Sequence, residues 1–386
     1  MPEKKKLIPK ALEPLIFLVI FFALFGSMAH IMGAKNMVRT IMYTGHDLLL
    51  NTCFYLMAVC VIAGALSALL IEFGVVAALE KLLRIFMKPI FNLPGAAALG
   101  GVMTFFSDNP SIIALARNRS FSRFFKKYQL VSLTNFGTAF GMGLIVLTYM
   151  MSLEGEGYVM AATVGFFGAI FGAIVSTRIM QFLVKPIVGD EPAITEEEIK
   201  KLEEKENQEG VFKEENLFTR FLNGILDGGK NGVEVGMAII PGVIIICTFV
   251  MMITFGPKDP AAGYCGAAYE GVAWLPKICA YLKYPIYYLF GFENPENIAF
   301  PLTAMGAVGS ALGLVPKLKV NPNDIAVFTA IGMCWSGYLS THTAMLDALG
   351  YRNVISKALI SHTIGGLCAG VFAHYVFLLV SMIFGA

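Results

Sequence analysis

Charge is scarce in this chain: 15% of its 386 residues are Asp, Glu, Lys or Arg, against about 25% in soluble globular proteins. Apolar residues make up 56% and mean hydropathy is +0.69. No globular core has the volume to hide that surface, so the chain reads as an integral membrane protein. A surplus of one sign is missing as well. With 29 Lys+Arg against 27 Asp+Glu the formal charge is +2, which argues against a nucleic-acid binder because no basic excess exists to pair with phosphate. The seven cysteines, at 53, 60, 247, 265, 279, 334 and 368, form no CxxC and stand near no histidine at metal-ligand spacing. No metal site is read from them; they are small residues in apolar runs, with a Cys265–Cys279 bridge in one outer loop left open. HExxH, P-loop and GxSxG patterns are all absent, and Ser336-Gly337 has Cys334 where an intramembrane serine protease needs glycine. The chain is not read as an enzyme, and no cofactor is read.

Apolar runs of membrane-crossing length, roughly 20 residues, are present at about 14–33, 48–72, 129–152, 158–184, 232–255, 325–347 and 355–384. That predicts seven spans in a multi-pass plasma (inner) membrane protein. Basic residues mark the sides: Lys4, Lys5, Lys6 and Lys10 precede the first span as an uncleaved anchor, Lys81, Arg84 and Lys88 follow the second, and Arg117, Arg119, Arg123, Lys126 and Lys127 precede the third. By the positive-inside rule the N-terminus is cytoplasmic and, after seven crossings, the C-terminus is outside. Arg178 sits near the inner end of the fourth span, placed to snorkel. Residues 186–223 hold TEEEIKKLEEKENQEG, a charged cytoplasmic linker in which Thr195 and Glu198 form a capping box.

Two apolar regions fit no simple span. In 93–118 the polar Ser107-Asp108-Asn109-Pro110 divides two arms too short to cross, which predicts a re-entrant hairpin with both ends cytoplasmic. Residues 295–318 predict its mirror image, opening outward. The order of elements then repeats: span, short amphipathic or aromatic segment, hairpin, two spans. The repeat predicts an all-α membrane fold of two inverted halves, 47–185 and 224–386, joined by the linker 186–223 and preceded by an anchor helix and outer loop over 1–46.

Polar groups at membrane depth are costly, so their clustering is informative. Ser107, Asp108 and Asn109 at the first hairpin tip stand where a returning helix frees backbone N–H groups. Thr134-Asn135-Phe136-Gly137-Thr138, with Gly141 and Gly143, reads either as an unwound stretch able to hold a cation or as a close helix contact through small residues. Trp335-Ser336, Thr341 and His342 in the sixth span, with Ser310 in the second hairpin, complete the candidates.

The stretches SDNPSIIALARN, SLTNFGTAFGMG and FLNGILDGGKNGVEVGMAIIPGVIIICTF resemble the concentrative nucleoside transporters and the wider family sharing their nucleoside-recognition, or gate, domain. That family includes spore-maturation membrane proteins and the membrane part of a ferrous-iron transporter. The likeness covers the chain from about residue 48. It implies inverted repeats with re-entrant hairpins and discontinuous helices, often assembled as a homo-trimer, with elevator-type, ion-coupled transport of a small solute across the lipid bilayer. Carried onto this chain, substrate contacts fall at Asp108, Asn109, Ser310, Trp335 and Ser336, and a coupling Na+ at Asn109, Thr134, Asn135 and Thr138; the polar clusters themselves add Ser107, Thr341 and His342 to the substrate candidates. The family's first tip has Gln-Thr-Glu where this chain has Ser107-Asp108-Asn109, and its second has Asn-Glu where this chain offers only Ser310. A nucleoside substrate therefore does not follow from the fold. The reading is a secondary-active transporter of a small polar or amphipathic solute, coupled to Na+ or H+; the alternative is a non-transporting subunit or partner of a membrane assembly.

Overall fold

The protein, seen in a computed structural model, is described over residues 12–117, 119–195 and 216–384; every regular element in them is helical and no strand occurs. Helix α1 (Glu13–Met32) exposes Leu15, Phe17, Leu18, Val19 and Ile20 along one unbroken run, as a lipid-facing helix does. After Gly33, α2 (Ala34–Asp47) passes through a π-turn at Leu48–Cys53 into α3 (Phe54–Glu72). The outer loop expected over 34–46 is thus a helix. Its buried positions, Thr40 and Thr44, are hydroxyls four apart, a helical period that an apolar count does not register.

Helix α4 (Val75–Phe86) is amphipathic, with a Glu80–Arg84 ion pair of 2.5 Å on one face and exposed Leu82, Ile85 and Phe86 on the other. The predicted first hairpin is present as α5 (Ala97–Phe106) and α6 (Pro110–Arg117), parted at Ser107–Asn109. A single turn, α7 (Arg119–Ser122), leads to α8 (Lys127–Thr138) and α9 (Gly143–Ser152), which are broken at 139–142. Helix α10 (Tyr158–Val188) runs on past Pro186.

The second half opens with α11 (Leu217–Gly242), capped by the Asn216 side chain, and continues through a π-turn at Val243–Cys247 into α12 (Thr248–Thr254). The linker expected to reach residue 223 therefore ends at Asn216, because the amphipathic LFTRFLNGILDG is helical; Glu198, the partner of Thr195 in the expected capping box, lies outside the described residues. The aromatic segment is α13 (Trp274–Tyr281) and α14 (Lys283–Phe290), whose exposed Tyr281, Tyr284 and Tyr288 suit a membrane boundary. The second hairpin is α15 (Ala299–Ala304) and α16 (Val308–Leu314). The segment 325–347, expected as one span, is two helices, α17 (Pro322–Trp335) and α18 (Tyr338–Ala348), parted at Ser336-Gly337; α19 (Ile355–Phe384) closes the chain. Six stretches among the described residues, rather than seven, are long and apolar enough to cross a membrane.

Corresponding helices of the two halves pack against each other in opposite directions. Along α3 and α11, Gly64 lies against Gly228, Cys60 against Gly232 and Met57 against Gly236, and a Cβ at Gly64 would collide with the Gly228 carbonyl. Along α10 and α19, Gly168 meets Ala373, Gly172 meets Gly365, and Ser176 bonds His362. Each pair has rising numbers on one helix facing falling numbers on the other. Two antiparallel crossings between equivalent helices are the packing signature of an inverted repeat.

Polar groups organise the two ends. At one, Lys126 and Lys185 pair with Asp190 at 3.0 and 3.2 Å, and Arg220 meets Glu72 at 2.6 Å. The Lys126 ammonium holds the Asp190 carboxyl below the usual carboxylate range. Arg178, expected to snorkel, instead donates to the carbonyls of Pro89 and Ile90 at 2.8 and 2.9 Å, ending the π-turn after α4. At the other end the loop 255–273 winds around Glu270, which accepts from the backbone N–H groups of Cys265, Gly266 and Ala267. Burial pushes the Glu270 carboxyl up, but these N–H groups outweigh it and hold it low. Cys265 turns its thiol to the same carboxylate, and both it and Cys279 are free thiols.

Candidate functional site

Four chain breaks meet in one place: the two hairpin tips and the two helix breaks. The first tip crosses to the second half through Asn109, whose Nδ2 donates to the Ser336 carbonyl at 2.6 Å and to Thr341 Oγ1 at 3.2 Å. The second tip, within its own half, is tied to the same break through backbone, the Ala304 carbonyl accepting from Gly337 N at 3.1 Å. Gly337 adopts φ +67°, the left-handed conformation glycine tolerates best, and so starts α18 in a new direction. In the first half Met142 holds the equivalent post at φ 54°. Beside it, Gly141 leaves room for Asn109: a Cβ there would overlap Asn109 Oδ1 and stand 3.0 Å from Ser336 Oγ.

A cavity of about 500 Å³ opens at this junction, bordered by Asp108, Asn109, Met142, Glu234, Ser336 and Thr341, with Gly306 and Ala307 of the second tip. A second, of about 270 Å³, lies on the other side of Asp108 and Glu234, against α3, with Ser107, Ser111 and Asn231 in its wall. Asp108 accepts from Asn109 N at 2.7 Å and has no cationic partner among the described residues. By contrast Asp324, buried at the start of α17, is a structural carboxylate: its Oδ2 accepts from Asn321 N and Asn297 Nδ2, both at 3.0 Å, closing a capping box. Asn109 Oδ1 and Ser336 Oγ are buried and unpartnered among the described residues.

Of the sequence candidates, the structure brings Asp108, Asn109, Ser336 and Thr341 into the larger cavity and Ser107 into the smaller, where its hydroxyl lies 2.5 Å from Ser111 Oγ. Three stand elsewhere. Ser310 is a turn beyond the second tip and faces the end of α11, its Oγ against Gly242 and its carbonyl accepting from the Cys247 thiol. Trp335 turns to α19, donating Nε1–H to the His362 carbonyl at 3.2 Å. His342 follows Thr341 by one residue, about 100° around the helix, and so lies against His362, ring centres 4.5 Å apart and the planes tilted by 55°.

The cation candidates divide in the same way. Asn109 belongs to the cavity, whereas Thr134, Asn135 and Thr138 lie on α8, which is regular helix through Thr138. The unwound stretch expected at 134–138 is displaced to 139–142, because the glycine that must yield space is Gly141. Asn135 Nδ2 donates to Ser176 and Ser361 Oγ, each at 2.8 Å. Ser176 in turn donates to His362 Nδ1, and His362 Nε2–H donates to the Cys334 carbonyl at 2.6 Å. Thr134 Oγ1, Thr138 Oγ1, Asn135 Oδ1 and both ring nitrogens of His342 remain buried without partners among the described residues.

The sequence reading missed Glu234. Its signal was there to find, an acidic residue inside the apolar run 217–254, but it stands on α11, far along the chain from both tip motifs, and joins Asp108 only in space.

No family model matches the chain, and no curated protein matches it by sequence. Among solved structures it is similar to CNTnw, a concentrative nucleoside transporter. A doubly substituted CNTnw in an outward-facing state has 13% identity and a TM-score of 0.54, covering 94% of this chain and 84% of that one. CNTnw in an inward-facing substrate-bound state has 15% identity and a TM-score of 0.51, over 88% and 84% of the two chains. An intermediate state has 14% identity and a TM-score of 0.51, over 98% and 88%. At such identity the likeness is one of fold: the chain is an integral membrane protein with the all-helical architecture of the concentrative nucleoside transporter CNTnw.

Proposed function

We propose that this chain is a secondary-active transporter of a small polar or amphipathic solute. The observation that carries the reading is the meeting of two hairpin tips and two helix breaks on one cavity that holds a carboxylate at membrane depth. Irregular backbone is tolerated there only where it lines a cavity or is buried in protein, and an ionised carboxylate at that depth costs ~2.5–3.5 kcal/mol or more unless a ligand, water or cation compensates it. The division into halves at 47–185 and 224–386, the cytoplasmic placement of the N-terminus and of 190–216, an outside C-terminus and a homo-trimeric assembly belong to the same proposal. The basic residues gathered around Asp190 and Glu72 support that orientation.

The coupling cation is assigned to the α8 face, where Thr134 Oγ1, Asn135 Oδ1 and Thr138 Oγ1 are three buried acceptors without partners among the described residues. Oxygens of this kind suit Na+; if the coupling ion is a proton, His342 is the group to receive it.

The test of transport needs no known substrate. Ser340 lines the cavity, and Ser340→Cys in vesicles of defined orientation is expected to react with an impermeant thiol reagent from either face, one at a time. Reaction from a single face under all conditions would favour the non-transporting subunit. For coupling, the unmodified protein is expected to melt higher in sodium than in potassium, with the difference reduced in Asn135→Ala.

A further inference from the structure

We propose that the cavity takes a small organic cation, an amine with an apolar body, held between Asp108 and Glu234. The proposal rests on the transport reading above and names its substrate class. Asp108 and Glu234 border both cavities, and among the described residues no Lys, Arg or His borders either. Glu234 has no ion pair among the described residues; its neighbour one turn earlier, Lys230, is engaged with Asp227 at 3.6 Å. The junction therefore carries two carboxylates and no charge of the other sign.

The remaining polar groups on the wall point to the same ligand. Asn109 Oδ1, an acceptor only, and Ser336 Oγ are 6% and 3% exposed by residue, border the larger cavity and are unpartnered among the described residues. Several donors beside them are already used: Asn109 Nδ2 is spent on Ser336 O and Thr341 Oγ1, Gly337 N on Ala304 O, and the hydroxyls of Ser340 and Thr341 on Gly337 O. Two carboxylates beside a buried free amide oxygen suit an N–H-rich, positively charged ligand. An anion would meet both carboxylates. A bare metal ion fits less well, because the cavity is about 500 Å³ and its remaining wall is Met142, Val235, Ile239 and Val308, which an apolar body would cover.

The test uses the purified full-length protein in detergent at neutral pH. Melting is followed with choline against its uncharged isostere 3,3-dimethylbutan-1-ol, with agmatine and tyramine as further amines, and with lactate and uridine as anionic and neutral comparisons. At saturation at least one amine is expected to raise the melting temperature by about 2–5 °C, with no comparable shift from the isostere, lactate or uridine. Asp108→Asn and Glu234→Gln should each weaken amine binding at least ~10-fold. Should either variant fail to fold, titration of the unmodified protein replaces it: the amine shift should vanish as the pH is lowered enough to protonate the carboxylates. Equal shifts from choline and its isostere, a shift from lactate or uridine alone, no shift from any amine, or an amine shift unchanged in both variants would each overturn the proposal. Its failure is distinguishable from failure of the transport reading. If amines do nothing but Ser340→Cys still reacts from both faces, transport stands and the cationic substrate falls; if Ser340→Cys reacts from one face only, transport falls whatever the amines do.

Discussion

The two hairpin tips occupy equivalent places and do different work. The first, Ser107-Asp108-Asn109, reaches the centre with side chains: a carboxylate facing two cavities and an amide that ties the tip to the break between α17 and α18. The second, Met305-Gly306-Ala307, brings no polar side chain and binds the same break through the Ala304 carbonyl. Inverted symmetry thus fixes where the tips meet, while the chemistry is gathered on one of them and on Glu234 from the opposite half. A backbone contact holds geometry whatever the side chain is; a side-chain contact can be selected for a ligand.

The strongest way to break this comparison is to exchange chemistry at the tips. Asp108→Asn keeps an oxygen for Asn109 N, so the fold should persist, while transport falls about 100-fold, the order of effect when a buried charge partner is lost. Ala307→Ser at the second tip should change transport less than about 2-fold, since surface-like polar changes away from a bonding network cost little. Flux in proteoliposomes compares the two; similar losses would mean that both tips recognise the solute. Next in size, Asn109→Ala removes both bonds to the second half and leaves the Ser336 carbonyl without its donor, a cost of about 1–3 kcal/mol that chemical unfolding of the purified protein can read.

The two breaks sharpen the comparison further. Gly141→Ala places a methyl group on Asn109 Oδ1 and should destabilise by about 1–3 kcal/mol while also weakening ligand binding, because Asn109 must move. Gly337→Ala meets the Gly306 carbonyl oxygen at 3.3 Å, a tight contact, rather than overlapping it, so its cost is mainly the left-handed backbone, about 1–2 kcal/mol. Unfolding and ligand-shift assays run side by side should separate them: G141A loses both, G337A mainly stability. The smallest effect lies outside the membrane. Glu270 and Asp190 have carboxyls held below their usual 4.5 and 3.8. A depressed carboxyl contributes stability above its unfolded value and loses it as the pH falls through its folded value. Unfolding monitored from pH 7 to pH 3 should show the decline beginning below about pH 4.5, and Glu270→Gln should flatten part of it; Asp190, half exposed, should contribute little.

Much of the architecture was legible because membrane solvation writes long signals. Spans of 20 or more apolar residues and short arms around Ser107–Pro110 predicted the membrane helices, the hairpins and their repeated order, and drew attention to the polar first tip. What was misplaced followed a different rule. Ser336-Gly337 breaks a span that hydropathy reads as continuous, since glycine and serine do not lower an apolar average enough to show it. Residues 34–46 read as loop because their helix buries threonines. Thr134–Thr138 read as unwound because polarity was taken for irregularity, whereas they stand on a regular helix from which Asn135 hydrogen-bonds sideways to α10 and α19.

By itself the sequence determined the environment, the helical class and the order of elements, all of which depend on solvation and run length along one chain. Tertiary structure alone decided which polar groups share a cavity. Asn109 and Ser336 are 227 residues apart, Thr341 and His342 are adjacent yet face different partners, and Asp108 finds Glu234 across the seam between halves. The physical reason is that a carboxylate's partner is set by distances of a few ångströms between helices, and helix rotation changes those distances while leaving every local pattern in the sequence as it was.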